Sequence, residues 1–121
     1  PLQSARARWP DEPILYGAEA NVLIKIGEAS SAKSIIRAAL RLDNDSAALY
    51  RLLARAEGQL GNMASSFQAL AEASYLEGEP TRALAELRRA EKHAGRSTYL
   101  AASITARMAV LRELIDRNEK H

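Results

Sequence analysis

A constant spacing of glycines limits what this chain can fold into. Gly27, Gly61 and Gly95 follow one another at intervals of 34 residues. Other residues repeat at the same interval around the first two glycines. The matched pairs are Tyr16 with Tyr50, Ala20 with Ala54, Ile36 with Leu70, Ala39 with Ala73 and, less closely, Ala32 with Ser66. This period predicts helix–turn–helix units that stack on one another and present a surface for other chains.

A 34-residue period is typical of tetratricopeptide repeats. With repeats beginning at Pro13, Ala47 and Thr81, the first two units fit that pattern fairly well. The third fits poorly, because Arg88 and Leu100 occupy positions where small residues are expected. We therefore predict an all-α fold, a tetratricopeptide-like superhelix of about six antiparallel helices.

Helix start and stop residues divide the chain into these helices. Gly27, Gly61, Gly78 and Gly95 are expected to end four of them, and Pro13 and Pro80 to open two. The predicted helices cover about residues 13–26, 31–42, 46–60, 63–77, 80–93 and 98–117. The expected capping residues are Ser30 or Ser31, Asp45 or Ser46, Asn62 and Ser97. Residues 1–12 are interpreted as a linker, 13–117 as the repeat domain and 118–121 as a frayed tail.

A second register competes with the first after residue 62. Gly78 lies 17 residues after Gly61, which is half a period, and Pro80 follows it. The fourth and fifth helices would then pair as one unit. Its key positions would be Phe67, Ala71, Ala83, Leu87 and Ala90. The six helices are common to both registers, whereas the inner face beyond residue 62 is not.

The composition offers little for catalysis. The chain has no cysteine, its two histidines are His93 and His121, and it has no His-Glu-x-x-His motif or glycine-rich phosphate loop. We expect no enzyme activity, cofactor or metal in this chain. A net charge of +2 is too small to predict nucleic-acid binding, and no apolar run approaches the roughly 20 residues of a membrane span.

Basic residues on the first helix of each unit point to a protein or peptide partner. Such helices line the inner face of a repeat array, and Arg51 and Arg55 share a helix face because they are four residues apart. With Arg82 and Arg89 they would form a basic strip suited to an acidic peptide or chain terminus. The predicted binding residues are Asn21, Lys25, Arg51, Arg55, Gln59, Arg82, Arg89 and Lys92.

The alternative is that these arginines only solubilise the surface and pair with Glu57, Glu86 and Glu91. A lysine–asparagine clamp for a terminal carboxylate is not predicted, because Gly17 and Arg55 stand where two of its residues would be needed.

Two longer segments are more particular than a generic repeat. They are Tyr50-Arg-Leu-Leu-Ala-Arg-Ala-Glu-Gly-Gln-Leu-Gly61 and Ala69-Leu-Ala-Glu-Ala-Ser-Tyr-Leu-Glu-Gly-Glu-Pro80, followed by Ala83-Leu-Ala-Glu-Leu-Arg-Arg-Ala90 and a final helix ending Leu111-Arg-Glu-Leu-Ile115. This order resembles the C-terminal repeat domain of bacterial zinc metalloproteases of the β-barrel assembly-enhancing type. The similarity covers most of residues 13–117.

The resemblance implies a periplasmic protein in which a separate His-Glu-x-x-His domain holds zinc and cleaves substrates. The repeat domain would then recruit partners and pack against its own protease domain. The start of the chain, which has no initiating methionine, favours a piece of such a protein. The alternative is a free-standing repeat adaptor or scaffold, cytoplasmic or periplasmic, with no protease attached.

Overall fold

A computed structural model describes residues 13–119, and the predicted linker of residues 1–12 lies outside this range, as do Lys120 and His121. Six α-helices and no β-strand occur among the described residues. They are α1 (Pro13–Lys25), α2 (Ala29–Leu42), α3 (Ala47–Gln59), α4 (Met63–Leu76), α5 (Pro80–Lys92) and α6 (Thr98–Glu119). The prediction of an all-α chain with six helices is thus confirmed. The last helix continues two residues beyond the predicted limit at Arg117 and ends at Glu119.

Three of the turns between helices have the same structure. At Gly27, Gly61 and Gly78 the glycine has a positive φ, of 86°, 81° and 79°. In each turn the glycine N–H donates to the carbonyl three residues earlier, and the next N–H donates to the carbonyl five residues before it. This double hydrogen bond is the Schellman motif, which satisfies the last carbonyls of the helix. A side chain at these three positions would be strained, so the glycines set where α1, α3 and α4 end.

Gly95 makes a different turn, although it shares the 34-residue spacing. Its φ is also positive, at 63°, but α5 and α6 are joined by five residues and the double hydrogen bond is absent there. The turn equivalent to those at Gly27 and Gly61 occurs instead at Gly78. The half-period in the sequence therefore corresponds to a real turn, and α4 forms tight hairpins with both α3 and α5.

Small residues close each tight hairpin at the same two positions. They lie seven residues before and five residues after the glycine, and all are buried. The pairs are Ala20 with Ala32, Ala54 with Ser66, and Ala71 with Ala83. In the second pair the Ser66 hydroxyl donates to the Ala54 carbonyl at 2.7 Å. Small side chains let the two backbones approach, which is the reason for the alanine-rich composition.

The 34-residue period also appears as contacts between successive hairpins. Arg55 donates to Asn21, 34 residues earlier, and Gln59 donates to the carbonyl of Ile24, 35 residues earlier. The same separation joins α4 to α6, where Arg107 binds Glu72. Residues one period apart therefore stack next to one another on neighbouring helices.

The buried core has two main parts. In the N-terminal half, α1 and α2 pack on α3 around Ala20, Ile36 and Ala56. In the C-terminal half, α4, α5 and α6 enclose Leu87, Ile104 and their neighbours. The predicted key positions of the second register lie in this second cluster, where Ala71, Ala83, Leu87 and Ala90 are buried and Phe67 packs against them. The α3–α4 hairpin connects the two halves.

Two predicted helix caps are confirmed and two are corrected. The hydroxyls of Ser46 and Ser97 accept hydrogen bonds from the N–H groups of the third residue after each. Helix α2 begins earlier than expected, with Glu28 before its first residue and no side-chain cap, so neither Ser30 nor Ser31 caps it. The Schellman turn at Gly27 already fixes where α2 begins.

Asn62 does precede α4 as predicted, but its side chain does not cap the helix. Its amide instead donates to Glu57 at 3.0 Å.

Candidate peptide-binding face

The predicted binding residues lie on α1, α3 and α5, and three of them come together. Arg51 of α3 and Arg82 and Arg89 of α5 line a groove between these two helices, with a volume of about 360 Å³. We call it the arginine groove. Its other lining residues are Ala85 and Glu86. The four lining positions of α5 are spaced as i, i+3, i+4 and i+7, which places them on one face of the helix.

Two arginines of this groove have no ion-pair partner within residues 13–119. Arg82 and Arg89 are exposed, and none of the ion pairs of the described chain includes either. Glu86 lies between them but is buried, and it accepts a hydrogen bond from the Ser74 hydroxyl. The two guanidinium groups are therefore available to a ligand that carries carboxylates.

Arg51 is paired, but with a residue that we did not predict. Its guanidinium donates two hydrogen bonds to the Glu77 carboxylate, which follows α4. These bonds hold the pKa of Glu77 below its ordinary value, and the charges of Arg51 and Arg82 act in the same direction. The pairing with Glu57, Glu86 or Glu91 that we considered as an alternative does not occur for Arg51. Because both side chains are about 40% exposed, a ligand carboxylate can compete with Glu77 for Arg51.

The remaining predicted residues have other positions. Arg55 donates to the Asn21 side chain at 3.2 Å, and Gln59 donates to the Ile24 carbonyl at 3.0 Å. These contacts brace α1 against α3. Lys25 and Lys92 are exposed and do not line the arginine groove. The structure thus brings together Arg51, Arg82 and Arg89, and gives Asn21, Arg55 and Gln59 a bracing role beside them.

A second groove lies between α1 and α3 and is mainly apolar. Its volume is about 470 Å³, and we call it the apolar groove. Its lining residues are Ile14, Gly17, Ala18, Asn21, Asp43, Ser46, Ala48, Leu49 and Leu52. Since Leu52 lines this groove and Arg51 lines the other, α3 forms the boundary between them.

A third groove, on the opposite side of α3, was not predicted. It has a volume of about 500 Å³ and runs between α2 and α6 over α3 and α4. We call it the polar groove. Its charged and hydroxyl-bearing residues are Arg37, Tyr50, Glu57, Ser65, Glu72, Ser103 and Arg107. Tyr50 and Glu57 project roughly a third of a helical turn away from Arg51 and Arg55, so one helix contributes to two different surfaces of the molecule.

The charges of the polar groove are paired with one another. Arg107 donates two hydrogen bonds to Glu72, at 2.7 and 3.0 Å, and its guanidinium carbon lies 4.8 Å from the centre of the Tyr75 ring. Burial raises the pKa of the Tyr50 hydroxyl; Glu72 raises it further, whereas the positive charge of Arg107 lowers it. The Glu72 carboxylate is therefore in an ion pair within the groove.

Glu57 is the most deeply buried charge of this groove. Its side chain is 3% exposed, lies 3.0 Å from the Lys33 ammonium, and accepts a hydrogen bond from Asn62. Arg37 is more distant, at 4.0 Å. Glu72 and Arg107 carry opposite charges and are 35 residues apart, close to one period, so this pair is a sequence signal that points to the polar groove.

The described residues show no constellation for metal binding. No group of three or more histidine, cysteine, aspartate or glutamate side chains is placed to hold an ion within residues 13–119. His93 is exposed, and its ring stacks on that of Phe67 with the ring centres 5.6 Å apart. None of the six helices is long and apolar enough to cross a membrane.

Comparisons with known proteins identify no family for this chain. No protein-family model matches the chain, and no curated protein is significantly similar to it.

Proposed function

We propose that this chain is a tetratricopeptide-like module that binds an acidic peptide or protein segment on the face formed by α1, α3 and α5. The observation that supports the proposal is the arginine groove, where Arg82 and Arg89 are exposed and unpaired among the described residues. Arg82 and Arg89 lie on one face of α5, and their guanidinium groups favour an anionic ligand because neither has an ion-pair partner among the described residues. Planar guanidinium groups suit carboxylates in particular.

In its protein context, we propose that the module recruits substrates or partners for a larger zinc-dependent protease of the periplasm. The support for this is the resemblance of most of residues 13–117 to the repeat domain of β-barrel assembly-enhancing metalloproteases. The module would also contact its own protease domain. A free-standing adaptor without a protease is the second candidate, and the arginine groove fits both equally. Sequencing the source gene upstream of the Pro1 codon separates them, because only the first predicts a signal peptide and a His-Glu-x-x-His helix in frame.

A selection from random phage-displayed dodecapeptides tests the binding function. We expect the enriched peptides to contain more aspartate and glutamate than the starting library. The double variant Arg82→Gln/Arg89→Gln should weaken their binding about tenfold or more, since each lost charge-assisted hydrogen bond contributes about 1.5–3 kcal/mol before screening.

The matched control is Arg88→Gln/Arg112→Gln, which removes the same charge from exposed residues of α5 and α6 that do not line the groove. Equal losses in the two double variants would show that net charge alone attracts the peptides. Enriched peptides without an acidic excess would contradict the proposed function.

A further inference from the structure

Neither the backbone of α1 nor its packing requires a glycine in the middle of this helix. Gly17 is helical, and a glycine there destabilises the helix relative to alanine. A Cβ atom added to it would lie 3.6 Å from a Leu49 methyl group and 3.7 Å from a Leu52 methyl group, which is ordinary van der Waals contact. An alanine would therefore fit without displacing α3. What the glycine does provide is open space above Leu49 and Leu52.

That space is the apolar groove. Leu49 is buried beneath it, and Ile14 forms one wall although its own side chain is 77% exposed. Ala18 and Ala48 keep the groove open because their side chains are short. A volume of about 470 Å³ is large enough for a branched aliphatic side chain and adjoining backbone.

The apolar groove and the arginine groove are neighbours on one face. Leu52 belongs to the first and Arg51 to the second, and Arg55 is held between them by Asn21. The two grooves flank α3, so their centres are separated by the width of a helix with its side chains, ~10 Å. A peptide in the polyproline II conformation covers that distance in about three residues, at about 3.1 Å each, and its three residues per turn bring the side chain back to the same face.

The charges on this face favour one orientation of a bound acidic peptide. Asp43 lies at the end of the apolar groove, next to the start of α3, and its carboxylate disfavours an acidic group there. The unpaired arginines lie on the other side of α3. An acidic peptide that crosses the face would therefore place its carboxylates over α5 and its apolar part over α1.

We infer that the apolar groove receives an aliphatic side chain of the same acidic peptide, three residues from an aspartate or glutamate bound in the arginine groove. This inference rests on the proposed function, since it names the sequence pattern of that ligand. Burial of the aliphatic side chain adds affinity, and the fixed distance between the grooves adds specificity.

Two labelled peptides test the inference by fluorescence anisotropy with the full 121-residue chain. The first is fluorescein-Gly-Ser-Leu-Gly-Ser-Glu-Gly-Ser-Glu, and the second replaces its leucine by glycine. We expect the leucine peptide to bind about tenfold more tightly, as burial of one leucine side chain allows. Moving the leucine next to the first glutamate should remove this advantage.

Two variants test whether the leucine side chain of the peptide binds in the apolar groove. Gly17→Phe fills the apolar groove, and Ile14→Ser removes its exposed wall without touching the core. Both should bring the affinity of the leucine peptide down to that of the glycine peptide and leave the glycine peptide unchanged. Val22→Ser is the matched control, because Val22 is an exposed apolar residue of α1 outside the groove. Circular dichroism confirms folding, and Ile14→Ser decides the test if Gly17→Phe does not fold.

The outcomes separate this inference from the proposed function. Binding of both peptides with equal affinity, lost in Arg82→Gln/Arg89→Gln, would overturn the inference and support the acidic-peptide function. A leucine advantage that persists in Ile14→Ser would also overturn it. No binding of either peptide at millimolar concentration would contradict both.

Discussion

The arginine groove and the polar groove use the same residue types in opposite ways. In the polar groove Arg107 is held by Glu72 and the Tyr75 ring, and the Glu57 carboxylate by Lys33 and Asn62. In the arginine groove Arg82 and Arg89 have no ion-pair partner among residues 13–119, and only Arg51 is paired, with Glu77. Charges that are satisfied within the chain contribute to folding, whereas those left unpaired on an exposed face are available for binding. Substitution should therefore reduce stability on one side of α3 and affinity on the other.

The largest loss of stability is expected at the buried charge of the polar groove. Lys33→Met removes the closest cation from Glu57 and leaves its carboxylate with Asn62 and the more distant Arg37. We expect the free energy of unfolding to fall by about 2 kcal/mol, because a buried carboxylate loses a charged hydrogen-bond partner. Urea denaturation measures this change. Lys25→Met, at an exposed lysine outside any ion pair of residues 13–119, is the control, and equal midpoints for both variants would contradict the assignment.

A smaller loss is expected for Arg107→Gln. This residue joins α6 to α4 through two hydrogen bonds to Glu72, but both side chains are about 30% exposed. We expect a decrease of about 1 kcal/mol in the free energy of unfolding, at the upper end for a partly exposed ion pair. Arg112→Gln, on the exposed surface of the same helix, should change it by much less. A similar small change in both variants would show that the Arg107–Glu72 contact does not stabilise the packing of α6.

The smallest change in stability is expected when the ion pair of the arginine groove, between Arg51 and Glu77, is removed. Because Arg51 lowers the pKa of Glu77, this pair stabilises the fold above the ordinary pKa of a glutamate and loses that effect as the pH falls through the lowered value. Glu77→Gln should therefore flatten the decline in stability below about pH 4.5 and leave the remaining acid dependence intact. Thermal melts between pH 2.5 and 7 measure this decline. The exposed residue Glu79 provides the control variant Glu79→Gln, and identical acid profiles for both would contradict the pairing.

The sequence predicted the number and limits of the helices because each limit depends on a local signal. Glycines with positive φ end α1, α3 and α4, and Ser46 and Ser97 cap two helices. These contacts involve residues close together in the chain. Gly95 shows where the reasoning failed: its spacing matched, but the turn structure depends on the residues around it, and Gly78 carries the equivalent turn.

The candidate site could be predicted only in part, for a related reason. Helical spacing brought Arg82 and Arg89 to one face, and the structure adds Arg51 from α3. The partner of Arg51 is Glu77, 26 residues away, and that pairing depends on how α3 and α4 stack. The polar groove depends on how α6 packs against the other helices. The sequence did not predict that packing, because the third repeat fits the repeat pattern poorly.

Gly61 and Gly78 form two turns of the same kind, one at each end of α4. The smallest unit that could be added to this fold is therefore a single helix and not a hairpin. These glycines are 17 residues apart and bound α4 with the same hydrogen bonds at its two ends. Duplicating such a 17-residue segment would preserve the local turn, but it would reverse the direction of every helix that follows. Residues that had lined one side of the array would then line the other. A change of half a period is thus a simple route by which a repeat array could exchange its binding side and its structural side without any new turn.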